Sequence, residues 1–284
     1  MNWIGIIAGV TATVAANCTF ALSPPDPAVG DQHEIIVSYE TSQQRSDGSS
    51  GSSSGRDVLL ERVVAISSDG LELEFDLPNE ATAEDRARVW KFPARVLQQS
   101  NGAIRLLNRD ELEERVDRWL TAAELPRDMC GRWIFTWNAF RIDCDPDSVI
   151  AHIEAINLLT VDLREGATYR HPQTVGSGTL TLTSDGPNGA TYSVKLEVDA
   201  EAVRNSRAES DVVVGEIMQR PVTLETALSE RSKESLSGTV EVTFDVDASG
   251  NPTRRTVVTI LETVTPDGVS ETDRRIETVE RVAS

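Results

Sequence analysis

The residues best suited to chemistry in this chain lie between two cysteines, in the segment MCGRWIFTWNAFRIDCD at positions 129–145. Arg132, Trp133, Phe135, Trp137, Phe140 and Arg141 combine guanidinium forks with flat rings, a means of holding an anionic or planar ligand. Trp133, Phe135 and Trp137 alternate with Ile134 and Thr136, the period-two pattern of a strand with one covered face. Were residues 130–144 one straight strand, their ends would lie roughly 45 Å apart at about 3.3 Å per residue. A disulfide requires Cα atoms within about 7 Å. A bond between Cys130 and Cys144 therefore demands a reversal, and Asn138-Ala139 is the expected turn because Asn tolerates left-handed backbone. The hairpin reads either as the wall of an apolar ligand pocket or as an anchor in the core. Large aromatics are mostly buried for packing, so the anchor is favoured. Arg132 and Arg141 are likewise expected first as cross-strand cations paired with Asp128 or Asp143.

Other chemistry is sparse. His33, His152 and His171 are the three histidines. No two have the i, i+4 spacing of a zinc site, so neither metal nor cofactor is expected. Residues 51–55 (GSSSG) spell G-x-S-x-G, but no helix start follows them as a nucleophile elbow requires, and there is no dinucleotide fingerprint after a strand. The Gly/Ser-rich stretch at 42–56 lacks the Gly-Lys-Ser/Thr ending of a phosphate loop and reads as a flexible hairpin tip. In LELEFDL (71–77), Glu72, Glu74 and Asp76 share one strand face. Three such carboxylates can bind a cation, yet the wet side of an antiparallel sheet is the favoured reading. Asp128 and Asp145, beside the aromatic segment, are the nearest approach to an acid/base pair.

Charge narrows the partners. With 27 Lys and Arg against 46 Asp and Glu, the formal charge is -19. Nucleic acid and anionic lipid headgroups are poor partners for such a chain. Residues 3–16 (WIGIIAGVTATVAA) have the length of a signal-peptide core and are too short to span a membrane, which takes about 20 residues. Cleavage is expected after Ala16 or Ala21, although the n-region carries no Lys or Arg. A cut after Ala21 removes Cys18 and leaves Cys130 and Cys144 as a pair in an oxidising compartment. The rival is a lipoprotein acylated at Cys18, for which Asn17 and Ala15 fit poorly. The expected organisation is a signal peptide (1–21), a proline-rich disordered spacer (22–33) and one β-rich domain (34–284) with a helical insert (79–158).

The elements that would position these residues are mainly strands. Strands are expected at 34–40, 58–66 and 71–77, the last two joined at Asp69-Gly70. Helices follow at 82–90, 110–124 and 146–158. Thr82 and Asp85 are placed as a capping box, Leu112, Val116, Trp119 and Leu120 form one apolar stripe, and Asp145-Pro146 begins the third helix. Residues 179–183 and 190–198 form a hairpin, 200–207 is a helix or a loop, and 211–220 looks like a strand. Residues 238–247, 253–265 and 269–282 make an antiparallel meander. The fold class is thus mainly antiparallel β, a curved sheet or half-barrel with two to three helices across its concave side. The function expected is a non-enzymatic periplasmic or secreted module. It would bind an apolar or amphipathic ligand, or an envelope protein, between sheet and helices. An acid-residue hydrolase of envelope polymers and a purely structural protein are the alternatives.

Overall fold

A computed structural model describes residues 27–135 and 139–284. The first half contains β1 (Gln32–Arg45), β2 (Ser50–Ser67), β3 (Gly70–Asp76), α1 (Ala83–Arg88), β4 (Ala94–Gln99), β5 (Ile104–Leu106) and α2 (Arg109–Ala122). A short hairpin of β6 (Trp133–Phe135) and β7 (Ala139–Arg141) precedes α3 (Ser148–Ile156). Small strands β8 (Thr168–Tyr169) and β9 (Gly178–Thr179) lead into β10 (Thr181–Gly186) and β11 (Gly189–Glu197). Helices α4 (Ala200–Ile217) and α5 (Leu224–Arg231) come next, and the meander β12 (Ser235–Asp247), β13 (Pro252–Val264) and β14 (Ser270–Ala283) ends the chain.

Ten strands form one curved, open antiparallel sheet in the order β10-β11-β12-β13-β14-β1-β2-β3-β4-β5. Tight turns link most neighbours, but the central pair, β14 and β1, joins the two ends of the sequence, with Val37 opposite Val279. Cross-strand partners share a face, so alternation along each strand selects one apolar side. That side carries two cores. In the first, Ile35, Leu59, Leu73 and Phe75 pack against Leu112, Val116 and Leu120 of α2 and Val149, Ile153 and Ile156 of α3. In the second, Val194, Leu196, Val240, Val242, Phe244 and Val257 are covered by Ala167 and Leu180 from the segment before β10.

Most expected elements are present. Thr82 and Asp85 form the capping box of α1, and Leu112, Val116 and Leu120 of α2 are buried as their spacing required. The third helix starts later than expected: Asp147 occupies its cap position, and Asp145 instead accepts the Asp147 N–H at 3.0 Å. Two expectations fail. Residues 42–56 are not a flexible tip, because β1 continues to Arg45 and Ser50–Gly55 pair with it residue by residue. The ladder with β14 already holds β1 extended, and the Tyr39 ring lies over Gly55, where a Cβ would come within 2.4 Å of it. Residues 211–220 are not a strand either, since most of them belong to α4. Asp199 caps that helix by accepting from the N–H groups of Glu201 and Ala202, and context overrides the strand preference of Val212, Val213 and Val214.

The two cysteines are bonded, with Cα atoms 5.6 Å apart. Cys144 and Ile142 belong to the first core, and the Gly131 N–H to Ile142 carbonyl bond (2.7 Å) closes the neck of the hairpin above them. Replacing both cysteines with alanine is expected to lower stability by about 3 kcal/mol through the freed loop. Urea unfolding of the double variant, beside the oxidised parent, measures this loss; an unchanged midpoint would contradict it.

Candidate functional site

Along the seam of the sheet the apolar face gives way to a polar strip. Beyond Val37 and Val279, the same-face positions are Tyr39, Thr41 and Gln43 on β1 and Glu277, Arg275 and Asp273 on β14. Their neighbours on β2 are Gly55, Ser53 and Gly51. Helix α4 passes beside this strip and leaves an open cleft of about 610 Å³. One wall is apolar, made of Val198, Ala202, Val203 and Leu261; the other presents Thr41, Gln43, Gln173, Asp273 and Arg275. A concave surface of mixed character and this size suits a small ligand.

The charges in the cleft are mutually compensated. Arg207 of α4 donates to Asp273 at 3.0 Å and to the Thr263 hydroxyl at 3.1 Å. It also lies 3.7 Å from Glu234 and 4.0 Å from Glu271, and Arg45 holds Glu271 from the far side at 3.1 Å. Burial, then the adjacent Glu271, raises the pKa of Asp273 above its ordinary value, against the opposing pull of Arg207. Tyr39 is 38% exposed, with the Arg275 guanidinium 5.7 Å from its ring centre and Arg275 bonded in turn to Glu277 at 2.8 Å. Arg255, further along β13, donates to the Ala155 carbonyl near the end of α3, where the helix dipole favours a cation.

A second polar cluster sits at the other end of the seam. The Glu61 side chain is 4% exposed and accepts two bonds from Arg281, at 2.8 and 3.0 Å. Arg281 also donates to His33 Nδ1 at 2.9 Å, which leaves the His33 proton on Nε2. Burial, followed by Arg281, lowers the His33 pKa, while Glu61 and Asp31 oppose the shift.

The residues singled out from sequence lie elsewhere. Trp133 is 43% exposed, so for this ring the expectation of a core anchor is corrected. The neck of the hairpin, with Ile142 and the disulfide, occupies the core, and Trp133 lies beyond it. Trp133 and Arg141 border a separate cavity of about 690 Å³ against α4. Arg132 has Asp128 at 3.6 Å, as one expected pairing had it. Arg141 instead donates to the Gly131 carbonyl at 2.9 Å, because Asp143 is taken by Lys91 at 2.8 Å. Phe135 ends β6 and Phe140 lies within β7, while Trp137 falls outside the described residues. Asp128 and Asp145 are both exposed, and Arg109 lies 3.9 Å from Asp145. The acidic face of 71–77 is neutralised residue by residue: Glu72 meets Arg95, Glu74 meets Arg62 at 3.2 Å and Asp76 meets Arg86 at 2.8 Å.

Sequence reasoning missed the cleft because its walls come from distant segments. A signal was nevertheless present. Ile35 and Val37 are followed at the same spacing by Tyr39, Thr41 and Gln43, and Val279 is preceded by Glu277, Arg275 and Asp273. Both strands change from apolar to polar on one face, which marks where packing ends. The chain matches no protein-family model and no curated protein.

The lowered His33 pKa has a defined sign. The unfolded chain binds more protons than the folded one between the lowered value and the unfolded value near about 6.5, so stability is lost on acidification through that window. The urea midpoint is expected to fall between about pH 7.5 and about pH 5.5, and His33→Gln should reduce that fall. An undiminished pH dependence in the variant would contradict the assignment.

Proposed function

We propose that this chain is a non-enzymatic, exported binding module that holds an amphipathic ligand between α4 and the polar strip of its sheet. The observation that carries the reading is the cleft itself: an apolar wall from α4, β13 and Val198 faces hydrogen-bonding groups from β1 and β14. Such a surface matches a molecule with one greasy and one polar side. Export is supported by the Cys130–Cys144 bond, since disulfides persist in oxidising compartments. Among the described residues no helix is long and apolar enough to cross a membrane. The charge of -19 argues against nucleic acid as the ligand.

One observation favours a second reading, an acid-residue hydrolase of envelope polymers: Asp273 borders the cleft with Glu271 beside it. Arg207 and Arg45 hold that pair, which supports a structural role for it. Turnover of a soluble envelope glycan by the parent and not by Asp273→Asn would establish the hydrolase.

The binding reading is tested by titrating the oxidised protein with an environment-sensitive amphipathic dye. Saturable binding is expected. Thr41→Trp, which fills the cleft, should weaken it by about tenfold or more, while Trp133→Ala leaves it unchanged. No saturable binding would contradict the proposal, and loss of binding in Trp133→Ala alone would move the site to the hairpin.

A further inference from the structure

Helices α4 and α5 are a single excursion between two adjacent strands. β11 ends at Glu197, β12 begins at Ser235, and Glu197 pairs with Thr239, so the chain leaves and rejoins the sheet at the same end. An insertion of this kind can swing without disturbing the ladder beneath it. The two helices are tied to each other: Arg231 of α5 grips Asp211 of α4 with two bonds of 2.7 Å.

Their attachment to the sheet is of a different kind. Ala208 and Gly215 are the buried residues of α4, and Ala227 is that of α5. Ala200 and Val203, in the first turn of α4, pack on the second core, but beyond them the apolar contribution is slight. Among the described residues, the side-chain hydrogen bonds from these helices to β13 and β14 are those of Arg207, to Thr263 and Asp273. Arg207 also has another acceptor within reach. The second carboxylate oxygen of Glu234, at the base of the excursion, is buried, lacks a hydrogen-bond partner and lies 3.7 Å from the guanidinium. A segment with few apolar contacts and a polar tether belongs to the low-stability end of a fold.

We propose that residues 204–231 of α4 and α5 form a flap over the cleft, latched by Arg207 to the sheet and moving to admit ligand while Val198, Asp199 and the first turn of α4 stay on the second core. In the open state Arg207 turns from Asp273 to Glu234, which keeps its charge paired. The inference rests on the cleft being the ligand site, but its motion is measurable without ligand.

Hydrogen–deuterium exchange of the full oxidised chain provides the test, with Arg207→Gln and, as a milder variant that retains an acceptor, Asp273→Asn. Amides in residues 204–231 are expected to exchange about tenfold faster in Arg207→Gln, and in the same direction in Asp273→Asn, with β12, β13 and β14 unchanged. Unchanged flap exchange in both variants would overturn the latch. So would acceleration spread evenly over the chain in both, which would make Arg207 a residue of global stability. Selective flap opening without binding of the amphipathic dye would keep the flap and refute the cleft as its site. Dye binding without selective opening would do the reverse.

Discussion

The architecture depends on the pairing of β1 with β14, which runs from His33 opposite Ala283 to Arg45 opposite Glu271. It is the junction at which the N-terminal and C-terminal halves of the sheet become one surface. Its register matters as much as its existence, because a slip of one residue would exchange the faces of a whole strand. Two ionic contacts flank the seam and favour this register. Arg281 meets buried Glu61 at one end, and Arg45 meets Glu271 at the other. Between them, Ile35 and Val279 enter the first core. An ion pair taken out of water adds little net stability, but breaking it by misalignment is costly. Here that asymmetry works in favour of a single register.

The polar strip follows from that alignment. Each half-sheet supplies enough apolar surface for its own cover, α2 and α3 on one flank and the segment around Ala167 and Leu180 on the other. Neither cover reaches the far half of the seam, where Tyr39, Thr41, Gln43, Asp273 and Arg275 replace aliphatic residues. Polar groups left under a packed layer would need partners, so the layer stops and a cleft remains. The two flanks thus behave as packed protein and the middle as a surface available to other molecules.

How much of this was readable in advance depended on whether the determinant was local. The disulfide was, because the expected loss of Cys18 leaves Cys130 and Cys144 as the pair, and a bond between them requires the chain to reverse. The final meander was too, since period-two alternation and the turns at Ser249-Gly250-Asn251 and Pro266-Asp267-Gly268 lie within it. Ser50–Gly55 were misread because their strand character comes from β1, itself held by a strand more than two hundred residues away. Val212, Val213 and Val214 misled through intrinsic preference, which Asp199 capping and packing against α5 outweigh. Trp133 shows that aromatic density does not by itself locate a core. The cleft was encoded in the change of polarity along β1 and β14, but the register of the seam is needed to align the two changes.

The proposed ligand site is the seam. Nuclear magnetic resonance of the labelled chain with a spin-labelled fatty acid, an amphipathic probe, reports contact there most directly. Broadening concentrated on the amides of Thr41, Gln43, Thr259, Leu261 and Val203 is the predicted result. Broadening confined to the hairpin around Trp133, or spread evenly over the solvent face of the sheet, would contradict it.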